Sequence, residues 1–480
     1  MTLRISFPVA LLLGCSVFPA TVKAQAISAR EAAALRAEMT ALRAQVEALQ
    51  ARLDEAESGA ETAAASAQSA AATAERASTN AQKAVELAQK APTIKFKGAP
   101  EISDGKGWSF KPRGRFQWDV ASVNAPDGVN NPGLGFSNKV RRLYLGFQGT
   151  IPGGFGYRVE TDIANSTVTL TDVYLTYDRG PFNVTLGQYK PFGSLDELTS
   201  DLDTSLMERA AFVQAFGFER RLGLGFGYAK GDVVANAGVF TDDIKALSGN
   251  NTGTTVNGDA NNSYSVDGRI AWMPKLDKVQ LHVGGSVHLR DMNNLSTTNV
   301  TYQARPGTGT TDVRFISAGG RRVSKEFGAG LELAAISGPL HVTGEAYWFR
   351  PELVSNGRNA QFFGGYGEVG YMLTGGDTRP YKKGTFGSVS PVKPVGKGGF
   401  GAVQLVARYD YLDLNDPTRA IQGGTQKGYY AGVNWWPVEY IKFMLNYGHM
   451  DYSNATQVDT TNGDRSYGVD TVAARAQLSF

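Results

Sequence analysis

From about residue 107 to the end of the chain, hydrophobicity repeats every two residues. The last segment shows it most plainly. Val472, Ala474, Ala476, Leu478 and Phe480 share one face, and Ala473, Arg475, Gln477 and Ser479 share the other. An apolar face ending in an aromatic, backed by a polar face with an arginine, suits a strand between lipid and a wet interior. Upstream segments follow suit. Leu143, Leu145 and Phe147 oppose Arg142, Tyr144 and Gln148. Val159, Thr161 and Ile163 oppose Arg158, Glu160 and Asp162, and Val173, Leu175 and Tyr177 oppose Asp172, Tyr174 and Thr176.

Sixteen such segments can be read, from 108–123 to 466–480, an even number as bacterial outer-membrane barrels require. Short turns such as Pro152-Gly153-Gly154 and Ser337-Gly338-Pro339 alternate with long loops at 124–138, 191–218, 241–262, 290–322, 413–425 and 452–465. That asymmetry places the turns in the periplasm and the loops outside. Residues 374–399 break the rule, being long where a turn is due. No run of 18 apolar residues exists beyond the extreme N-terminus, and mean hydropathy is −0.24. Helical membrane proteins are thereby excluded. A high glycine count of 57 and an aromatic content of 10% suit many strands joined by turns. Trp108, Phe110, Trp272, Trp348, Trp435 and Trp436 fall near strand ends, where interfacial girdles form. The fold expected is an all-β, 16-stranded antiparallel transmembrane barrel over residues 108–480.

The N-terminal part has another period. Arg4, the apolar stretch from Ile5 to Val17, and Val22-Lys23-Ala24 read as an export signal cleaved after residue 24. A competing reading takes Leu12-Leu13-Gly14-Cys15 as a lipidation box. Cys15 is the only cysteine, so no disulfide can staple the fold. Removal of residues 1–24 takes Arg4 and Lys23 and no acid, leaving 46 bases against 45 acids. Nothing in that balance points to nucleic acid. Residues 25–92 are Ala-rich, and Ala32, Leu35, Met39, Leu42, Val46, Leu49 and Leu53 form a heptad seam. About 60 helical residues would reach roughly 90 Å. A periplasmic coiled coil follows, closed by Pro92 and joined to the barrel by a linker at 93–107; a solvated Ala-rich linker is the competing reading.

The strings Gly114-Arg115-Phe116-Gln117-Trp118-Asp119, Val140-Arg141-Arg142-Leu143-Tyr144-Leu145-Gly146, Leu186-Gly187-Gln188-Tyr189-Lys190-Pro191-Phe192-Gly193, Leu206-Met207-Glu208-Arg209 and Ala407-Arg408-Tyr409-Asp410-Tyr411-Leu412-Asp413 occur in that order. In order and spacing the chain resembles the phosphate-selective porins, porins O and P, over roughly residues 108–480. The resemblance implies a trimeric outer-membrane channel for phosphate or related anions. It also implies an anion site at Arg115, Arg141, Arg142, Lys190 and Arg209, faced by the acid Asp162, with 191–218 as an inward-folded loop.

Strand period bears on those candidates separately. Arg142 shares the polar face of Tyr144 and Gln148 and points to the lumen. Arg141 has the parity of Leu143 and faces outward unless the strand is bulged. Arg113, Arg115 and Gln117 alternate with Phe116 and Trp118, which favours the lumen for Arg115. Guanidinium groups suit an anion stripped of water, because their paired donors replace its hydration shell. Against this, the 191–217 loop carries Asp196, Glu197, Asp201, Asp203 and Glu208 with Arg209 as its one base, and such acids would offset the arginines. The odd segment 374–399 supplies Arg379, Lys382, Lys383, Lys393 and Lys397, a basic group that attracts anions if it lies at the channel mouth.

No enzyme is expected. The four histidines, His282, His288, His341 and His449, sit in no nucleophile or metal motif, and Gly396-Lys397-Gly398-Gly399 lacks the Lys-Ser/Thr ending of a phosphate loop. No cofactor or metal is expected. The partners expected are outer-membrane lipid, small anionic solutes and two further copies of the chain. A second reading is a nonspecific porin whose coiled coil tethers the outer membrane to peptidoglycan.

Overall fold

The computed structural model describes residues 28–90, 92–164, 166–247, 262–293, 299–355 and 357–480. The expected export signal and Cys15 lie outside the described residues. The chain divides into two compact units, residues 1–91 and 92–480.

In the first unit a single helix spans Ala29–Lys90. It starts with a capping box: the Ser28 hydroxyl accepts the Glu31 N–H at 3.4 Å, and the Glu31 carboxylate accepts the Ser28 N–H at 3.2 Å. Pro92, which has no N–H, follows its end. Leu35, Met39, Leu42, Val46, Leu49 and Leu53 are 49–64% exposed, so the seam is uncovered among the described residues of its unit.

The second unit is a closed barrel of sixteen antiparallel strands. They are β1 Ser109–Asn124, β2 Gly135–Ile151, β3 Phe155–Asp162, β4 Thr169–Arg179, β5 Phe182–Tyr189, β6 Arg221–Lys230, β7 Val233–Phe240, β8 Tyr264–Trp272, β9 Val279–Asp291, β10 Ile316–Ser337, β11 Leu340–Leu353, β12 Phe362–Met372, β13 Ala402–Asp416, β14 Ile421–Val438, β15 Ile441–Ser453 and β16 Tyr467–Ser479. Each of the sixteen expected strands has its counterpart. Closure comes from β16 against β1, with Asp470 opposite Asn124 and Ser479 opposite Arg115. Two 3.0 Å hydrogen bonds between Gly114 and Phe480 extend that seam to the last residue. Each of the sixteen strands is thereby paired on both sides, which matters in lipid, where an unpaired peptide group would be costly. The period-two pattern sorts as expected: Val472 and Leu478 are exposed outside, whereas Arg475 and Gln477 are buried inside.

Three features depart from the sequence reading. Residues 93–107 are not a plain linker, because Thr93–Lys97 and Ala99–Ser103 form a hairpin that joins β1 through Ile102 and Phe110. Trp436 is no girdle residue; it is 4% exposed and faces inward, with the Lys442 ammonium 4.9 Å above its ring. Finally, the lumen is not uniformly wet. The short helix Ala211–Ala215 and residues Tyr302, Val313 and Phe315 of the β9–β10 loop pack against Tyr347, Phe349, Tyr366, Leu412 and Leu414 of the barrel wall. Phe216 stacks on Phe349 at 4.7 Å, and Phe212 on Tyr347 at 5.8 Å. The main apolar core therefore sits inside the barrel and fills its β10–β13 side.

Glycine is obligatory where strands crowd. A Cβ on Gly146 of β2 would lie 2.3 Å from the Val159 carbonyl oxygen and 2.8 Å from the Glu160 Cα. We expect Gly146→Val to push β3 away and to destabilise the barrel by about 1–3 kcal/mol. A lower urea midpoint in detergent refolding, read by heat-modifiable migration, checks this; an unchanged midpoint would contradict the close approach.

Candidate functional site

The loop between β5 and β6, residues 190–220, folds into the lumen and is held by the wall on many sides. Glu345 of β11 accepts the N–H groups of Leu195 at 2.9 Å and Asp196 at 2.7 Å. Asp410 of β13 accepts that of Ala211 at 2.8 Å, and Asn446 of β15 that of Met207 at 2.9 Å. Asn434 donates to the Ser205 carbonyl at 2.8 Å, and Arg475 to that of Met207 at 2.9 Å. Backbone groups turned inward without ladder partners are satisfied this way.

Segment 374–399 comes from the short-turn end and meets the same loop from below. Arg379 donates to the Asp203 carbonyl, the Ser388 hydroxyl reaches the Asp203 carboxylate at 2.7 Å, and the Phe386 N–H meets Thr199 at 3.4 Å. The basic group expected there separates into two kinds. Arg379 is buried, lying over the Phe386 ring at 4.8 Å. Lys382, Lys383, Lys393 and Lys397 are exposed, and Lys383 alone of them lines a cavity described below.

The candidate arginines converge on the acids of the inward loop. Asp201 lies between Arg115 and Arg142, bonded to the former and 2.6 Å from Nε of the latter. Arg141 Nε meets Glu208 at 3.0 Å. Within the loop, Glu197 bridges Lys190 at 2.8 Å and Arg209 at 3.0 Å. Both Arg141 and Arg142 thus face inward, which a regular strand forbids. Gln117 pairs with Arg142 and Trp118 with Val140, so Arg141 is the extra residue of a β-bulge. The bulge turns its side chain from lipid to lumen.

Asp162 does not face the arginines. It ends β3 and accepts the backbone N–H groups of Leu143 at 3.3 Å and Ala164 at 3.0 Å. The acid that does face them is Glu160, 3.3 Å from both Arg115 and Arg158. A second irregularity, with Val159 opposite Val173 but Thr161 opposite Leu170, brings Thr171 and Asp172 together against Glu160. Asp172 receives Arg220 at 2.5 Å and Arg158 at 3.7 Å. Arg158, Glu160, Asp172 and Arg220 were not singled out from sequence. Arg220-Arg221 at the start of β6 repeats the twin-arginine signal of Arg141-Arg142 and would have been the clue to one of them.

Beside these pairs the lumen holds cavities, the middle and inner ones along β1–β7 and the outer one reaching β9 and β10. An outer cavity of about 450 Å³ is lined by Arg221, Arg290, Arg305 and Arg314, a middle one of about 390 Å³ by Arg141, Arg142 and Arg209, and an inner one of about 580 Å³ by Arg115 and Arg158. Middle and inner cavities share Lys190, Asp201 and Arg220 as lining, and Arg220 borders all three. Lys190, Asp201 and Arg220 therefore stand where the middle and inner cavities meet, the candidate constriction. Nine cations and seven carboxylates line the middle and inner cavities together, an excess of two positive charges.

Charge on the inward loop is set by its pairing. Burial alone would raise the Asp201 carboxyl, but Arg115 and Arg142 outweigh it and hold the group well below the ordinary range. For Glu208 burial is likewise outweighed, chiefly by Arg141. Lys190 goes the other way: burial, then Arg209, bring its ammonium down to about 8 against the pull of Glu197.

A closed, even-numbered antiparallel barrel with an apolar exterior and an inward loop is the architecture of an outer-membrane channel. The chain belongs to the phosphate-selective porin O and P family, whose profile matches residues 110–480. It is 46% identical over 387 residues to an uncharacterized protein of Caulobacter vibrioides, covering 81% of this chain and 77% of that protein. Similar solved structures include OmpT of Vibrio cholerae, 11% identical with TM-score 0.49, covering 81% of this chain and all of that one. An anion-selective porin from Comamonas acidovorans is 14% identical with TM-score 0.46, covering 78% of this chain and all of that one. The channel DcaP of Acinetobacter baumannii is 13% identical with TM-score 0.45, covering 78% and 98%.

Asp201 offsets two arginines at the constriction. Asp201→Asn should move the reversal potential in a KCl gradient toward the chloride equilibrium potential relative to the parent channel. An unmoved potential would mean that the charge of Asp201 does not reach the ion path.

Proposed function

We propose that the protein is a passive channel for small anions, phosphate among them, through the constriction at Lys190, Asp201 and Arg220. The observation that carries this reading is the surplus of two cations lining the middle and inner cavities, with Arg220 bordering both of these and the outer one. In a confined passage with poorly polarisable walls, such a surplus raises the local concentration of anions. The surplus is what remains after Glu197, Asp201 and Glu208 have each been counted against the basic side chains that engage them. A row of partly neutralised arginines binds an anion weakly at each step, which allows release.

The reading includes export through the first 24 residues and a periplasmic helix over 25–92. It also includes self-association into a trimer, supported by the exposed Leu35–Leu53 seam, which three copies would cover. Leu42→Asp with Leu49→Asp should lower the temperature at which the oligomer dissociates on semi-native gels; equal melting of variant and parent would remove the helix from assembly.

The reading is tested in planar bilayers. The reversal potential in a KCl gradient should favour chloride, and phosphate should reduce the chloride current. Arg220→Gln should weaken both effects, whereas cation preference in the parent would overturn the proposal. Raising the pH from 7 to 9 takes the proton from Lys190, whose ammonium titrates near 8, and removes one positive charge from the constriction. Anion preference should therefore fall across that interval, and Lys190→Gln should flatten the change.

A further inference from the structure

We infer that the inner cavity is a binding station for organic anions with a flat apolar body, of the class of aromatic carboxylates. This rests on the anion-channel reading above and adds the substrate class. The cavity, about 580 Å³, has the size of a small-molecule site. One wall is aromatic. Tyr174 and Tyr189 meet edge to face at 6.0 Å, and Phe192 follows at 6.0 Å from Tyr189. Leu198 and Val234 continue that apolar wall. Arg115, Arg158, Lys190 and Arg220 supply charge along the same cavity.

Two polar groups there have unused capacity. The Tyr189 hydroxyl is buried without a hydrogen-bond partner, and Arg158 Nε, also without a hydrogen bond, has the Asp172 carboxylate no nearer than 3.7 Å. Buried donors without partners carry a penalty that an arriving carboxylate relieves. The acids lining the cavity are each engaged, Asp172 by Arg220 and more distantly Arg158, Asp201 by Arg115 and Arg142, and Asp178 by the Asn183 amide at 2.9 Å, and the lining still holds five cations against these three carboxylates. Inorganic phosphate would use the cations and leave the aromatic wall in water. An aromatic carboxylate uses both, its ring against Tyr174 and Phe192 and its charge toward Arg158.

The test compares benzoate with acetate as blockers of chloride current through the purified full-length channel at pH 7. Both are monovalent carboxylates, so charge cancels in the ratio of their half-blocking concentrations. Benzoate should block at a concentration roughly fivefold lower or less, as one aromatic contact predicts. Tyr174→Ser and, separately, Phe192→Ser should each bring the ratio toward one, and any variant that opens as a channel is folded enough to be read. A parent ratio near one in an anion-selective channel would overturn the inference and leave the channel reading standing, as would a ratio unmoved in both variants. A parent channel without anion preference would instead overturn the reading itself, and the inference with it.

Discussion

The ion pairs between the inward loop and the barrel wall are the interaction on which the rest of the site depends. A sixteen-stranded barrel left to itself encloses a wide aqueous lumen. Here Asp201 is held between Arg115 and Arg142, and Glu208 by Arg141, so the loop is drawn onto the β1–β2 side of the wall. Removing one member of such a buried pair strands the other charge, which costs far more than the intact pair contributes. The acids are thus part of the loop's attachment rather than free charges in the path. Their carboxyls stay ionised well below the ordinary range for that reason.

Local breaks in the strand pattern aim the charges. A regular β2 would send Arg141 into lipid, where a guanidinium at mid-depth is strongly unfavourable. The bulge adds one residue and turns it to Glu208. The irregularity in β4 does the same for Thr171, beside Asp172, which alternation already places in the lumen and which receives Arg158 and Arg220. Bulges interrupt the ladder, and in both places the residue turned inward finds a partner: Arg141 the Glu208 carboxylate, and the Thr171 hydroxyl the Glu160 carbonyl at 2.9 Å. The two departures from regularity lie on the side of the barrel where the cavities run.

Strand number, closure and the inside or outside sense of most residues were legible, because period two is dictated by the pleat and by having lipid on one side and water on the other. Val472 and Arg475 fell where alternation put them. The errors came where a residue's neighbour, not its face, decides its role. Asp162 and Glu160 share a face in β3, and alternation cannot tell which meets Arg115. Trp436 looked like an interfacial residue because it sits near a strand end, yet its ring lies inward beneath Lys442. The apolar core inside the lumen was hidden for a related reason. Tyr347, Phe349, Leu412 and Leu414 have the parity of lumen residues, and only a loop distant in sequence explains why that lumen is dry.

That filled half also decides where the charges of a nearly neutral chain fall. With the β10–β13 side filled by Phe212, Phe216 and their aromatic partners, the middle and inner cavities run along β1–β7. The formal charge of the whole chain is +3, spread over 48 bases and 45 acids, and says nothing about a pore. Packing one side with apolar groups and pairing the loop's acids against the other concentrates a surplus of two cations along the remaining passage. The apolar filling also thickens the low-dielectric wall beside that passage. Each unpaired charge then acts over a longer range than it would in an open, water-filled barrel. Narrowing and charge placement are therefore one device, and both follow from where the inward loop is bound.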